Sequence, residues 1–102
     1  MNQMKANQVE KYLQEHSDAS IIDVREVKEV RAGKIPGAVN IPLRLLEFRM
    51  QDLDKTKKHV LICRSGSRSA LAGRVLEKNG FQVINVDGGM LEWENEQRKI
   101  FY

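Results

Sequence analysis

Cysteine is almost missing: one thiol, Cys63, stands in 102 residues. A single thiol excludes an intramolecular disulfide framework and a two-cysteine redox couple within the chain. It fits a reducing compartment, so the chain reads as cytoplasmic. Long apolar runs are missing too. No stretch approaches the roughly 20 apolar residues of a membrane-spanning helix. Met1 to Glu10 is polar and lacks the apolar core of a secretory signal. Charge of one sign is scarce, because 17 basic and 14 acidic residues are well mixed and leave a net charge of +3. No basic run is interleaved with stacking aromatics, and Lys55-Thr56-Lys57-Lys58 reads as a solvated loop. Neither nucleic acid nor a membrane is therefore an expected partner. The only histidines, His16 and His59, are far apart and read as structural or surface groups, neither metal ligands nor catalytic bases. No metal or cofactor is expected.

What is present suits an ordinary folded domain. With 41% apolar and 30% charged residues, the chain reads as one domain able to bury its own core. That core is expected over about residues 5–97, with 98–102 as a tail whose Ile100, Phe101 and Tyr102 pack back. Val9, Tyr12 and Leu13 recur at helical spacing within Asn7 to His16. Ser20 to Val24 reads as a buried parallel strand. Glu26 to Ala32 reads as one or two helical turns closed by Gly33, and Ala38 to Ile41 as a short strand after the Pro36-Gly37 turn. Pro42 suits the start of a helix through Met50, with Leu45, Leu46 and Phe48 as its apolar positions.

A polar connection, Asp52 to Lys58, leads to the central strand, His59 to Cys63. Ser67 to Asn79 is the clearest helix, with Ala70, Leu71, Val75 and Leu76 on one side and Gly80 as its stop. Phe81 to Val86 is a further strand. Gly88-Gly89 turns it into a last helix, Met90 to Gln97, and Phe81, Leu91 and Trp93 are expected in the core. Strands alternating with helices predict an α/β fold: a mostly parallel sheet of about five short strands with helices on both faces.

Ligands of such sheets bind outside the carboxyl ends of the strands. Asp23 and Arg25, Cys63 and Asp87 all fall at such ends. The segment Cys63-Arg64-Ser65-Gly66-Ser67-Arg68-Ser69 joins the central strand to the clearest helix. A thiol there faces backbone N–H groups and the positive end of a helix dipole, which stabilise an anion. Gly66 permits positive φ, and successive N–H groups in so tight a turn form an anion nest. Ser67 or Ser69 is expected to cap the helix. A packed core thiol is the plain alternative, since free cysteine is among the most buried residue types. Such a thiol would need neither Gly66 nor two flanking arginines. Arg64 and Arg68 offer planar forks suited to oxyanions, and either one, Arg68 above all, could instead brace the loop against a carboxylate. Arg25 is expected to pair with Asp23, Glu26 or Glu29, and Asp23 to fix the loop by hydrogen bonds.

This loop resembles that of the rhodanese family of sulfurtransferases. Three other stretches resemble the family in the same order: Ile21-Ile22-Asp23-Val24-Arg25-Glu26, Gly33-Lys34-Ile35-Pro36-Gly37-Ala38-Val39-Asn40-Ile41-Pro42, and Gly88-Gly89-Met90-Leu91-Glu92-Trp93. Lys34 stands where the family often has histidine. The resemblance implies that Cys63 carries a persulfide, taken from an anionic donor such as thiosulfate or a persulfide and passed to a thiol, cyanide or a protein cysteine. Arg64 is compatible with thiosulfate, whereas mercaptopyruvate-type members more often have a small residue there. A cysteine phosphatase or arsenate reductase is a second reading. Those loops usually place five residues between Cys and Arg, but only four separate Cys63 from Arg68. The third reading is a non-catalytic binding or sulfur- and redox-sensing module on the same fold.

Overall fold

The computed structural model describes the backbone of residues 1–101 and the side chains of residues 1–99. Five strands form one sheet: β1 (Asn2–Lys5), β2 (Ser20–Asp23), β3 (Val39–Asn40), β4 (Lys58–Ile62) and β5 (Gln82–Asp87). Their order across the sheet is β1-β5-β4-β2-β3, and every pairing is parallel. The helices are α1 (Val9–Glu15), α2 (Val27–Arg31), α3 (Leu46–Arg49), α4 (Ser67–Lys78) and α5 (Gly89–Phe101). Single 3₁₀ turns precede α1 and flank α3. The expected α/β architecture is thus present, with β4 at its centre.

Alternation along the strands feeds two apolar layers. Ile21, Val60, Ile62, Ile84 and Val86 face one layer, where Val9 of α1 and Met90 of α5 cover them. Ile22, Val24, Leu61, Cys63 and Val83 face the other, under Leu46 of α3 and Ala72 and Leu76 of α4. A strand covered on both faces reads as a continuous apolar run, which is why β4 was conspicuous in the sequence.

Several expectations need correction. Strand β1 lies within a stretch that reads as polar, because only Met4 of its four residues turns into the core. Its place comes from parallel pairing with β5, Asn2 opposite Ile84 through Lys5 opposite Asp87. The buried face of α4 is Ser69, Ala72, Gly73 and Leu76, whereas Leu71 is half exposed. Gly73 sits inward where Met1 packs over it: a Cβ there would collide with the Met1 Sδ, while Leu61 Cδ1 lies at ordinary contact distance. Phe48 and Leu91 are likewise exposed, while Phe81 is buried and Trp93 packs against the core. The last helix does not end at Gln97 but runs through residues 98–101, so the expected tail is helical. The expected packing of Ile100, Phe101 and Tyr102 lies outside the described side chains.

Candidate active site

Parallel pairing brings the carboxyl ends of β2, β4 and β5 to one edge of the sheet. Asp23 ends β2, Cys63 follows β4, and Asp87 ends β5. Asp23 and Arg25 are both buried and bound to each other. Arg25 donates through Nη2 to Asp23 Oδ2 at 2.8 Å and through Nε to Asp23 Oδ1 at 3.0 Å. The Arg25 backbone N–H also donates to Oδ1, at 3.1 Å. The same guanidinium reaches the carbonyls of Glu29 at 3.4 Å and Gly33 at 2.7 Å. Of its three expected partners, Arg25 thus has Asp23, and this pair ties β2 to α2 and to the turn beyond it. Asn40 completes the tie by donating to the carbonyls of Asp23 and Arg25, each at 2.9 Å.

Cys63 lies at the floor of the loop with no exposed surface. Its Sγ accepts the Gly66 N–H at 3.0 Å and lies 3.3 Å from Ser69 Oγ. Gly66 is the N-cap of α4 at φ 106°, a left-handed conformation that glycine adopts without strain. Ser67 is the first helical residue and no side chain caps the helix, so Ser69 does not hold the expected cap. Its hydroxyl lies instead between Sγ and the Gly66 carbonyl, 3.2 Å away.

The carbonyls of the loop are taken up by its neighbours. Cys63 O accepts the Met90 N–H at 2.8 Å, and Arg64 O accepts the Leu91 N–H at 3.1 Å. Both donors belong to the first turn of α5, whose N–H groups have no partner within the helix itself. Gly66 O accepts the Ala70 N–H at 3.1 Å and the Asn85 side-chain amide at 3.3 Å. With these carbonyls engaged, loop N–H groups are left to face the sulfur.

The electrostatic result follows from that orientation. Burial pushes the Cys63 thiol up, but the Ser69 hydroxyl and the N–H groups of Ser69, Gly66 and Ser65 outweigh it. The net effect holds the thiol below its ordinary value of 9.0. Stabilisation of an anion by oriented N–H groups needs no neighbouring base. His59 is engaged elsewhere, buried between Ser20 Oγ and the Asp54 carbonyl. His16 Nδ1 lies 2.9 Å from the Tyr12 carbonyl at the end of α1.

The two loop arginines divide. Arg68 is forked onto Glu29 of α2, at 2.6 Å and 2.8 Å, and so acts as a brace. The Arg68 hydrogen bond pulls the Glu29 carboxyl down to about 2, against the opposing effect of burial. Arg64 is exposed and, among the described residues, has no ion-pair partner. It lines a pocket of about 200 Å³ with Arg25, Glu29, Gly33, Leu91 and Glu94. A roomier apolar pocket of about 380 Å³, around Leu13, Ile35 and Trp93, contains no loop residue. Ser65 and Ser67 are exposed. Sequence reasoning named Glu29 only as a partner for Arg25 and missed its pairing with Arg68, and it missed the roles of Asn40 and Asn85, whose partners are distant along the chain.

A family model described as the rhodanese-like domain matches residues 5–96. The chain belongs to that family. It is 47% identical over 78 residues to the protein named "Putative sulfurtransferase YtwF" of Bacillus subtilis, covering 76% of each chain. To a sulfurtransferase of Allochromatium vinosum it is 32% identical over 94 residues, covering 91% of this chain and 88% of that one. A crystal structure of a rhodanese-like domain protein from Staphylococcus aureus superposes with a TM-score of 0.86 at 32% identity, covering 91% of both chains.

Two predictions concern the loop's supports. A Cβ on Gly89, at φ 54°, would stand 2.4 Å from the Cys63 carbonyl oxygen. Gly89→Ala is therefore expected to cost at least about 1–3 kcal/mol in urea denaturation and to slow Cys63 alkylation. Glu29 is ionised at a lower pH in the folded chain than in the unfolded one, whose value is near 4.5. Its contribution is complete above that value and is lost as pH falls toward about 2. Acid denaturation of Arg68→Ala should lack this component, and an NMR titration should find Glu29 returned to the ordinary carboxylate range.

Proposed function

We propose that this rhodanese-like domain moves sulfane sulfur from an anionic donor such as thiosulfate to a thiophilic acceptor through a persulfide on Cys63. The observation that carries this reading is the Cys63 sulfur seated on the Gly66 N–H beside Ser69 Oγ, with no base beside it. The Cys63 thiolate attacks the outer sulfur of thiosulfate. A new S–S bond forms at Cys63, the bond to the sulfonate breaks, and its electron pair leaves with sulfite. Cys63 then holds a persulfide anion, one sulfur atom longer and equally suited to N–H donors. Cyanide, a small thiol or a cysteine of another protein attacks that outer sulfur and restores the thiolate. The chain has no second thiol to resolve the persulfide, so the sulfur goes to an external acceptor. A reducing cytoplasm suits this chemistry.

Depth favours a slim donor. Cys63 has no exposed surface, and the terminal sulfur of thiosulfate reaches a recessed atom more readily than a phosphorus atom inside its oxygen shell. Arg64, exposed at the loop's rim, is assigned to the sulfonate oxygens. Arg68 is assigned to holding the loop through its pairing with Glu29.

Intact-mass measurement tests the proposal. Incubation with thiosulfate should add one sulfur atom to the wild-type chain, and cyanide should remove it as thiocyanate. Cys63→Ser should add none. Arg64→Ala should still load, with kcat/KM for thiosulfate lowered roughly tenfold, the effect of one charge-assisted hydrogen bond. Full loading of Cys63→Ser would overturn the mechanism. Failure of the folded, reduced protein to load from either thiosulfate or a low-molecular-weight persulfide would overturn sulfur transfer and leave a binding module.

A further inference from the structure

Asn85 occupies an expensive position. It lies in β5 between Ile84 and Val86, with 3% of its surface exposed, in a strand setting that disfavours asparagine. Both hydrogens of its amide are used: Nδ2 donates to Gln3 Oε1 of β1 at 3.1 Å and to the Gly66 carbonyl at 3.3 Å. Its Oδ1 is buried with no hydrogen-bond partner. Turning the amide over would set Oδ1 against two other acceptors, so the observed orientation keeps the donors and leaves one acceptor unpaired. An apolar residue would avoid that cost. What it would forfeit is the hydrogen bond to Gly66.

The Gly66 carbonyl competes with the Cys63 sulfur for one proton. Ser69 is fully buried, and its hydroxyl lies 3.2 Å from Gly66 O and 3.3 Å from Cys63 Sγ. One O–H serves one acceptor strongly at a time. While Cys63 is a thiol, its S–H can donate to Ser69 Oγ and the Ser69 proton can rest on Gly66 O. Once Cys63 is ionised, the Ser69 proton must turn to the sulfur, and Gly66 O must do without it. Gly66 O then keeps the Ala70 N–H and the Asn85 amide.

We propose that Asn85 is a positioning residue for the Cys63 loop: by holding the Gly66 carbonyl it releases the Ser69 hydroxyl to donate to the anionic sulfur. It also fixes the peptide plane whose neighbouring N–H faces that sulfur. Gln3, opposite Asn85 in the β1–β5 register, holds the other amide hydrogen, so the edge strand reaches the loop through two side chains. This inference deepens the sulfur-transfer reading and rests on it.

The experiment titrates Cys63, by thiolate absorbance and by the rate of iodoacetamide alkylation against pH, in chains shown to be folded by circular dichroism. Asn85→Leu and Asn85→Val remove the donor, and Val keeps a strand-forming side chain in case Leu is not accommodated. Each should move the midpoint upward, lowering the thiolate fraction below the midpoint by about three- to tenfold, as expected for weakening one hydrogen bond to an anion. Ser69→Ala should also move it upward, and adding Asn85→Leu to Ser69→Ala should move it little further. The charged groups around the loop, Asp23, Arg25, Glu29, Arg64, Arg68, Glu92 and Glu94, are common to all these chains.

An unchanged midpoint with lowered thermal stability would overturn the proposal, since a merely structural asparagine predicts that result. Equal shifts from Asn85→Leu with and without Ser69 would overturn the route through its hydroxyl. If neither Asn85 variant folds, Asn85→Ala decides: it removes the same donor with the smallest side chain, and an unchanged midpoint contradicts the proposal. Absence of sulfur loading in the wild-type chain would remove the transfer reading alone, because the thiol titration needs no sulfur donor.

Discussion

The hydrogen bond from the Gly66 N–H to Cys63 Sγ, 3.0 Å long, is the contact on which the site depends. An N–H can face a sulfur at the end of a strand only if the peptide plane is turned against the course of both the strand and the helix. The left-handed backbone at Gly66 supplies that turn. The turned peptides then need partners for their carbonyls. The first turn of α5 provides two of these and α4 a third. The Gly88-Gly89 pair exists in this context: Gly89 lies so close to the Cys63 carbonyl that no side chain fits between them.

Two opposing effects meet at the thiol. Full burial favours the neutral form, and by itself would make Cys63 an inert core residue. Short-range donors favour the anion, and here they prevail. The arrangement separates desolvation from neutralisation: the sulfur is removed from water while N–H and O–H dipoles replace the water it loses. The N–H dipoles are fixed in the backbone of the loop and of α4, so a change of charge asks only the Ser69 hydroxyl to turn. The same donors can serve a thiolate or a persulfide, because both carry one negative charge on sulfur.

Much of this was legible in the residues. The α/β order, the central strand and the Cys63 turn depend on local apolar runs and glycine chemistry, which a sequence displays directly. Cys63 to Gly66 spans four residues and closes its own hydrogen bond. Other features depend on distant partners. Strand β1 has one inward residue, Met4, and is a strand because β5 lies beside it. Ser69 resembles a helix cap until the sulfur is found within reach. Arg68 and Glu29 are 39 residues apart, and nothing local joins them. Asn85 stands inside an apolar run that announces a strand and conceals a polar role. The exposure of Leu71 and Leu91 shows a related limit: helical periodicity names an apolar face, but the packing of each helix in the fold decides which of its residues turn inward.

Titrating Cys63 in the wild-type chain tests the account most directly, through thiolate absorbance against pH with Cys63→Ser as the blank. A midpoint below the ordinary 9.0 is expected, together with alkylation that reaches its plateau at correspondingly low pH. A midpoint at or above 9.0 would mean that burial prevails over the loop donors, and it would contradict the claim that this turn is built to hold an anionic sulfur.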